Sequence, residues 1–149
     1  TCLTPHLVAR LSASGRYVGM KDCTGDVERL VAMADAGKGG FGVMQAVQEQ
    51  LLSSFICGAT GSCCTASNTH PHLYRRIHDL VQDNRIDEAY ALQEKIRRWL
   101  LLYKQANSAK HVLNAIGLPI NVASRRDGTV TGERLAHART LAELVKAEI

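Results

Sequence analysis

Aromatic side chains are scarce in this 149-residue sequence: two phenylalanines, four tyrosines and one tryptophan, 5% in all. So few rings leave little for stacking single-stranded bases. Strong charge is missing too. The net charge is +4, and apart from Arg75-Arg76, Lys95 with Arg97-Arg98, and Arg125-Arg126 the cations are scattered. No nucleic-acid partner is expected. No apolar run approaches the ~20 residues of a membrane span, and Thr1-Cys2-Leu3-Thr4-Pro5 lacks the basic head and apolar stretch of a signal peptide. The five cysteines, at 2, 23, 57, 63 and 64, form no CxxC pair, and His70 and His72 have no cysteine at zinc spacing. They read as reduced core residues of a cytoplasmic protein without a metal. Neither phosphate-binding glycine pattern, G-x-x-x-x-G-K-[ST] or G-x-G-x-x-G after a strand, is present, and no cofactor is expected. What is left is the ordinary balance of a globular domain, 46% hydrophobic and 21% charged.

The stretch Val18-Gly19-Met20-Lys21-Asp22-Cys23-Thr24-Gly25-Asp26 is the one the rest of the chain is arranged around. An apolar run, Tyr17 to Met20, delivers one lysine, and turn residues follow at once. A buried parallel strand ends this way at the mouth of an α/β fold. Where apolar neighbours exclude water a lysine favours its free amine, and the free amine attacks carbonyl carbon. The competing reading of Lys21 is an ordinary solvated lysine at a strand end.

Upstream, Thr4-Pro5 opens a helix, with Thr4 as its cap and Pro5 in its first turn. Asp26 stands at the N-cap of the next, which carries Val27, Leu30, Val31 and Ala34 on one face. Phe41-Gly42-Val43-Met44 reads as a second strand. Gln48 to Cys57 reads as a helix with Leu51, Leu52, Phe55 and Ile56 on one side, and Ser62 to Ser67 as a strand of small residues. Strand, helix, strand, helix, strand predicts a parallel sheet with ligands at the carboxyl ends of its strands. Lys21, Gln45 to Val47, and Thr65 to Asn68 all follow strand ends, so they fall on one rim.

Beyond Asn68 the pattern is helical: Pro71 to Val81, Ile86 to Gln105, Ser108 to Ile116, and a last helix from Thr131. Trp99 to Tyr103 is apolar nearly all round and needs cover, from a barrel body or a neighbouring subunit. Three strands cannot close a core for this much helix. Together with a first residue that is Thr and not Met, this leads to the expectation that the chain is part of something larger.

The motifs and their order resemble the dihydrodipicolinate synthase / N-acetylneuraminate lyase family of class I aldolases. Gly19-Met20-Lys21-Asp22-x-Thr24-Gly25-Asp26 is similar to that family's lysine motif, G-[IVM]-K-[DE]-x-[ST]-G-[DN]. Gly58-Ala59-Thr60-Gly61-Ser62, followed by Ala66-Ser67-Asn68, resembles its G-[AG]-x-G-x-[IV]-[SG]-x-x-x-N segment. Lys110 with Leu113 and Gly117-Leu118-Pro119 resembles its late K-x-x-L…G-x-P stretch. The resemblance implies an α/β fold, the C-terminal half of a (β/α)8 TIM barrel: strands six to eight with their helices in residues 1–82, and a C-terminal helical extension in residues 83–149. Such a barrel takes ~250 residues. The absent half is expected to hold the family's proton-relaying tyrosine, in a Tyr-Asn-x-Pro strand end, and its carboxylate-gripping turn. This chain alone is then expected to be inactive.

The resemblance implies a lyase in which Lys21 forms a Schiff base with pyruvate or another 2-keto acid, and a C–C bond to an aldehyde partner is made or cleaved. It implies a homo-oligomer. Gln45, Ala46 and Cys63 fall at substrate-contacting positions, though Gln45-Ala46-Val47-Gln48 replaces the usual [SN]-G-x-[DE] and Cys63 replaces an isoleucine near the bound pyruvate. Rim packing without substrate contact is the competing reading for these three. For the whole chain the alternative is a non-catalytic keto-acid-binding or structural relative.

Overall fold

Three short parallel strands carry the candidate site, and their limits differ from those the sequence pattern predicts. The computed structural model describes residues 2–37, 39–106, 109–122 and 130–148. The Arg125-Arg126 pair and Ser108, the predicted start of one helix, lie outside these. Strands β1 (Gly19–Asp22), β2 (Gly42–Gln45) and β3 (Gly61–Ser62) form one sheet in the order β1-β2-β3. Lys21 pairs with Met44, which pairs with Gly61; Asp22 pairs with Gln45, which pairs with Ser62. Lys21 is thus inside its strand and not beyond it. Tyr17 and Val18 lie outside β1 and are exposed, Val18 to 84%.

The predicted strand from Ser62 to Ser67 shrinks for a physical reason. Cys63 N–H still donates to the Gln45 carbonyl at 2.9 Å. After it, Ser67 Oγ donates to the Cys64 carbonyl, Asn68 Nδ2 to that of Thr65, and Thr69 Oγ1 to that of Ala66, at 2.6, 2.8 and 2.8 Å. Short polar side chains bonding back to the main chain compete with the ladder, and residues Ala66–Asn68 form a 3-10 turn. The helix predicted for Gln48 to Cys57 likewise opens as a 3-10 turn, Gln48–Gln50. The α-helix α3 covers only Leu51–Ile56.

The flanking helices follow their sequence signals closely. In α1 (Pro5–Ala13) the Thr4 hydroxyl accepts the Leu7 N–H at 3.3 Å, and in α2 (Val27–Ala36) Asp26 Oδ1 accepts that of Arg29 at 3.0 Å. Both are N-caps of the kind that stabilise a helix by ~1 kcal/mol. Helix α4 (Pro71–Gln82) leads into α5 (Ile86–Ala106), followed by α6 (Ala109–Ala115) and α7 (Gly132–Lys146). A single buried cluster runs from Val8 through Leu30, Val43, Leu51, Ile77 and Ile96 to Val145. Helix α7 packs along α5, so Trp99, Leu100 and Tyr103 are buried within the chain itself. Leu101 is the member of that apolar run left outside, 63% exposed.

At the head of α4, His70 is fully buried between the rings of Tyr74 and Trp99, each 5.4 Å away between centroids. Its Nδ1 lies 2.7 Å from Thr69 Oγ1. Because the single hydroxyl proton of Thr69 goes to the Ala66 carbonyl, Nδ1 carries the hydrogen and donates. Nε2 is then a bare acceptor with no partner among the described residues. Burial, and next the charge of His72, pull the pKa of His70 from 6.5 down to about 4.

Two outcomes follow from this packing. The unfolded chain takes up a proton at residue 70 near pH 6.5, whereas the folded chain resists until about pH 4. The contribution to stability is therefore intact above 6.5 and lost as pH falls through that window. Its full size is ~3 kcal/mol. Urea unfolding at pH 7 and pH 5 will show the loss, and His70→Phe will reduce it. In the sheet, a Cβ on Gly19 would stand 2.6 Å from the Gly42 carbonyl oxygen. Gly19→Ala is expected to lower stability by about 1–3 kcal/mol, read as a lower melting temperature.

Candidate active site

In a strand, successive side chains point to opposite faces of the sheet. Here that alternation decides which groups can meet a ligand. Lys21 and its register partner Met44 stand on the open face and are exposed. Their neighbours Asp22, Val43 and Gln45 point into the helical layer and are buried. Beside Lys21 lies a cavity of about 300 Å³ lined by Val18, Gly19, Met20, Lys21, Gly42 and Met44. Its walls offer hydrocarbon and main chain, and the lysine amine is the one ionisable group among them.

Asp22 locks this arrangement from behind. Its Oδ1 is 3.5 Å from Nε of Arg29, and its Oδ2 accepts the Thr24 hydroxyl at 2.8 Å and the Thr24 N–H at 3.4 Å. Arg29 reaches on to donate to the Leu3 carbonyl at 2.7 Å. One buried carboxylate therefore ties the end of β1 to α2 and to the segment ahead of α1. Breaking a buried pair of this kind leaves an uncompensated charge, at a cost of ~3–5 kcal/mol. Sequence reasoning missed this group, although its signal was present: an aspartate immediately after the lysine has to face the helices.

Gln45 was expected to contact substrate, but its side chain faces away from Lys21. It is fully buried, with Nε2 donating to Ser54 Oγ and Oε1 accepting the Val47 N–H, both at 2.7 Å. The reason is register: Gln45 pairs with Asp22 and shares its face. Ala46 donates its N–H to the Asp22 carbonyl at 2.9 Å and sits on the rim between β1 and β2. Cys63 is exposed, and two positions beyond Gly61 it shares the face of Met44 and Lys21. Ala46 and Cys63 thus lie just past the ends of β2 and β3, outside the lining of the cavity beside Lys21, with the Gln45 side chain turned to the other face.

The neighbouring Cys64 is buried and lies 3.5 Å from the Gln45 carbonyl. Burial first, then the adjacent Cys63, push its thiol up to about 11, against an opposing effect of the Lys21 charge. Cys64 is therefore a protonated core thiol. Beyond β2, burial raises the pKa of Glu49, but hydrogen bonding and charge from Lys104, with charge from Arg97, leave it below the ordinary range. The Lys104 ammonium holds that carboxylate, and Arg97 donates to the Glu49 carbonyl at 3.1 Å. Among the described residues, no three His, Cys, Asp or Glu side chains gather where a metal ion could sit, and no helix is long and apolar enough to cross a membrane.

Comparison with known proteins gives a consistent answer. The chain is 30% identical over 124 residues to 4-hydroxy-tetrahydrodipicolinate synthase 1 of Streptomyces coelicolor, covering 80% of this chain and 40% of that enzyme. It is 30% identical over 97 residues to the 4-hydroxy-tetrahydrodipicolinate synthase of Xanthomonas axonopodis pv. citri, covering 65% of this chain and 32% of the relative. The fold is matched by N-acetylneuraminate lyase from Fusobacterium nucleatum complexed with pyruvate. That match has a TM-score of 0.86 at 16% identity, over 97% of this chain and 50% of the lyase. The chain thus spans half or less of the length of these relatives. The profile of the dihydrodipicolinate synthetase family matches residues 1–147, and the chain belongs to that family.

Proposed function

We propose that this chain carries the imine-forming half of a class I aldolase, with Lys21 as the nucleophile. The observation that carries the proposal is the placement of a single lysine on the open face of a parallel sheet, over a hydrocarbon-lined cavity, in a member of this family. Lys21 Nζ attacks C2 of pyruvate or another 2-keto acid, and water leaves to give a protonated imine. That cation is an electron sink, so a proton can be lost from C3 to form an enamine. The enamine carbon adds to the carbonyl carbon of an aldehyde, and hydrolysis frees the product and the lysine; run backwards, the same steps cleave the C–C bond. No cofactor enters this scheme.

The finer architecture is part of the proposal. A parallel sheet is covered on both faces, yet Lys21 and Met44 stand open on one. We read residues 1–82 as strands six to eight of a (β/α)8 barrel and 83–149 as its helical extension, with the other strands completing the pocket around Lys21. The tyrosine that relays protons then belongs to that other half. Tyr17 is exposed ahead of β1, Tyr74 and Tyr103 are buried on helices, Tyr90 lies on α5, and none of the four stands in a Tyr-Asn-x-Pro segment. A chain of 149 residues is expected to be inactive by itself. A cytoplasmic homo-oligomer fits five free thiols and the exposed Tyr90 and Leu101 of α5. Ala46 and Cys63 are the proposed substrate neighbours at the rim; Gln45 supports them from behind.

Borohydride reduction of the native-length protein with pyruvate tests the reading. One reduced pyruvate is expected on Lys21, located by peptide mass mapping. Lys21→Arg, which keeps the charge but cannot form the imine, is expected to abolish the adduct and cut turnover at least about a thousandfold. A native protein that binds pyruvate but acquires no adduct is the non-catalytic relative instead.

A further inference from the structure

Gln48 sits at a crossing of four elements. It opens the 3-10 turn after β2, and its Oε1 accepts two donors: the Ala66 N–H at 3.0 Å and the Tyr74 hydroxyl at 3.1 Å. Its own carbonyl accepts Nε2 of Gln93 at 3.1 Å, while Oε1 of Gln93 accepts the Leu52 N–H at 3.0 Å. The partners are deeply placed: Ala66 is fully buried, Gln93 is 2% exposed and Tyr74 4%. Burial, and behind it the charges of Cys64 and Glu49, hold the Tyr74 phenol far above its ordinary range. It therefore stays protonated and remains a donor at every working pH.

What this knot restrains is the segment Cys63–Ala66. That segment leaves β3 on the face of Lys21, and after the Cys63 N–H bond to Gln45 it has no ladder to hold it. One end is tied to β2 by that bond. The other is tied by the Ala66 N–H to Gln48, whose carbonyl is anchored to α5 through Gln93. A side-chain carbonyl oxygen suits this position because it accepts two donors at once.

We propose that Gln48 is a positioning residue for the Cys63–Ala66 rim, setting the distance between that rim and the keto acid on Lys21. The claim rests on the imine-forming reading of Lys21. It concerns geometry, so removing the latch should weaken keto-acid binding more than it slows the bound complex. Gln48→Ala leaves the Ala66 N–H and the Tyr74 hydroxyl unpaired in a buried setting, whereas Gln48→Glu keeps an acceptor at the same reach. Tyr74→Phe removes one donor and leaves the Ala66 bond.

The test uses the native-length protein and three variants, Gln48→Ala, Gln48→Glu and Tyr74→Phe. KM for pyruvate and kcat are measured together with hydrogen–deuterium exchange over residues 63–66. For Gln48→Ala the expected result is a rise in KM of about tenfold with kcat within about twofold, and faster exchange confined to that segment. Gln48→Glu is expected to restore both to within about threefold of the parent, and Tyr74→Phe to fall between. Unchanged exchange at 63–66 in Gln48→Ala overturns the proposal. So does a loss of kcat that tracks loss of folded protein, with KM unmoved. If Gln48→Ala does not fold, Gln48→Met, which keeps the side-chain length and loses both hydrogen bonds, decides in its place: faster exchange at 63–66 with a raised KM supports the latch, and no change refutes it. Failure of the parent to form a Lys21 imine removes the catalytic reading, while the exchange measurement still judges the latch.

Discussion

The parallel register that sets Lys21 beside Met44 and Asp22 beside Gln45 is the constraint on which everything else depends. Strand side chains alternate with a period of two, so a slip of one residue would carry every group to the opposite face. In the observed register the ionisable amine is on the open side. The carboxylate of Asp22 and the amide of Gln45 are on the buried side, where each finds polar partners. Slipped, Asp22 would lose Arg29 and Lys21 would be driven into the helical layer. Both changes are costly in a low-dielectric interior, so the polar residues behind the sheet help specify that Lys21 stands on the face in front of it.

These buried polar groups do the same job at each strand end. Asp22 fastens β1 to α2, Gln45 fastens β2 to α3 through Ser54, and Gln48 fastens the segment after β3 to the turn after β2. Each neutral hydrogen bond contributes only ~1 kcal/mol net, but an orphaned partner costs more than the bond gains. Strand ends held in this way can carry a rim whose own residues, Ala46 and Cys63, are small and have few polar bonds. His70 keeps an Nε2 with no partner among the described residues, and its buried neutral ring gives the fold a weakness toward acid.

Much of this was legible in the sequence where the controlling interactions are local. Thr4 and Asp26 cap the helices they were expected to cap. The 3.6-residue spacing of Ala89, Leu92, Ile96 and Leu100 marks the inner side of α5, although Leu92 is only partly buried and Gln93 beside it is buried. Lys21 stood out because an apolar run led to it and turn residues followed. What could not be read depends on partners distant in the chain. The end of β3 is decided by hydroxyl and amide side chains folding back on the main chain, and Trp99 is covered by packing across α4 and α7. Gln45 was placed at the rim because it follows an apolar run. Only pairing with Asp22 shows that its side chain turns the other way.

The central claim is that the open face at Lys21 is a pocket for a keto acid when the sheet is covered on both sides. A crystal structure of the native-length protein grown with pyruvate tests it directly. The predicted result is pyruvate C2 bonded to Nζ of Lys21, with Met44 buried under further strands and Cys63 at the rim of the closed pocket. Pyruvate bound elsewhere, or an unmodified Lys21 still facing solvent in the complete protein, would contradict it.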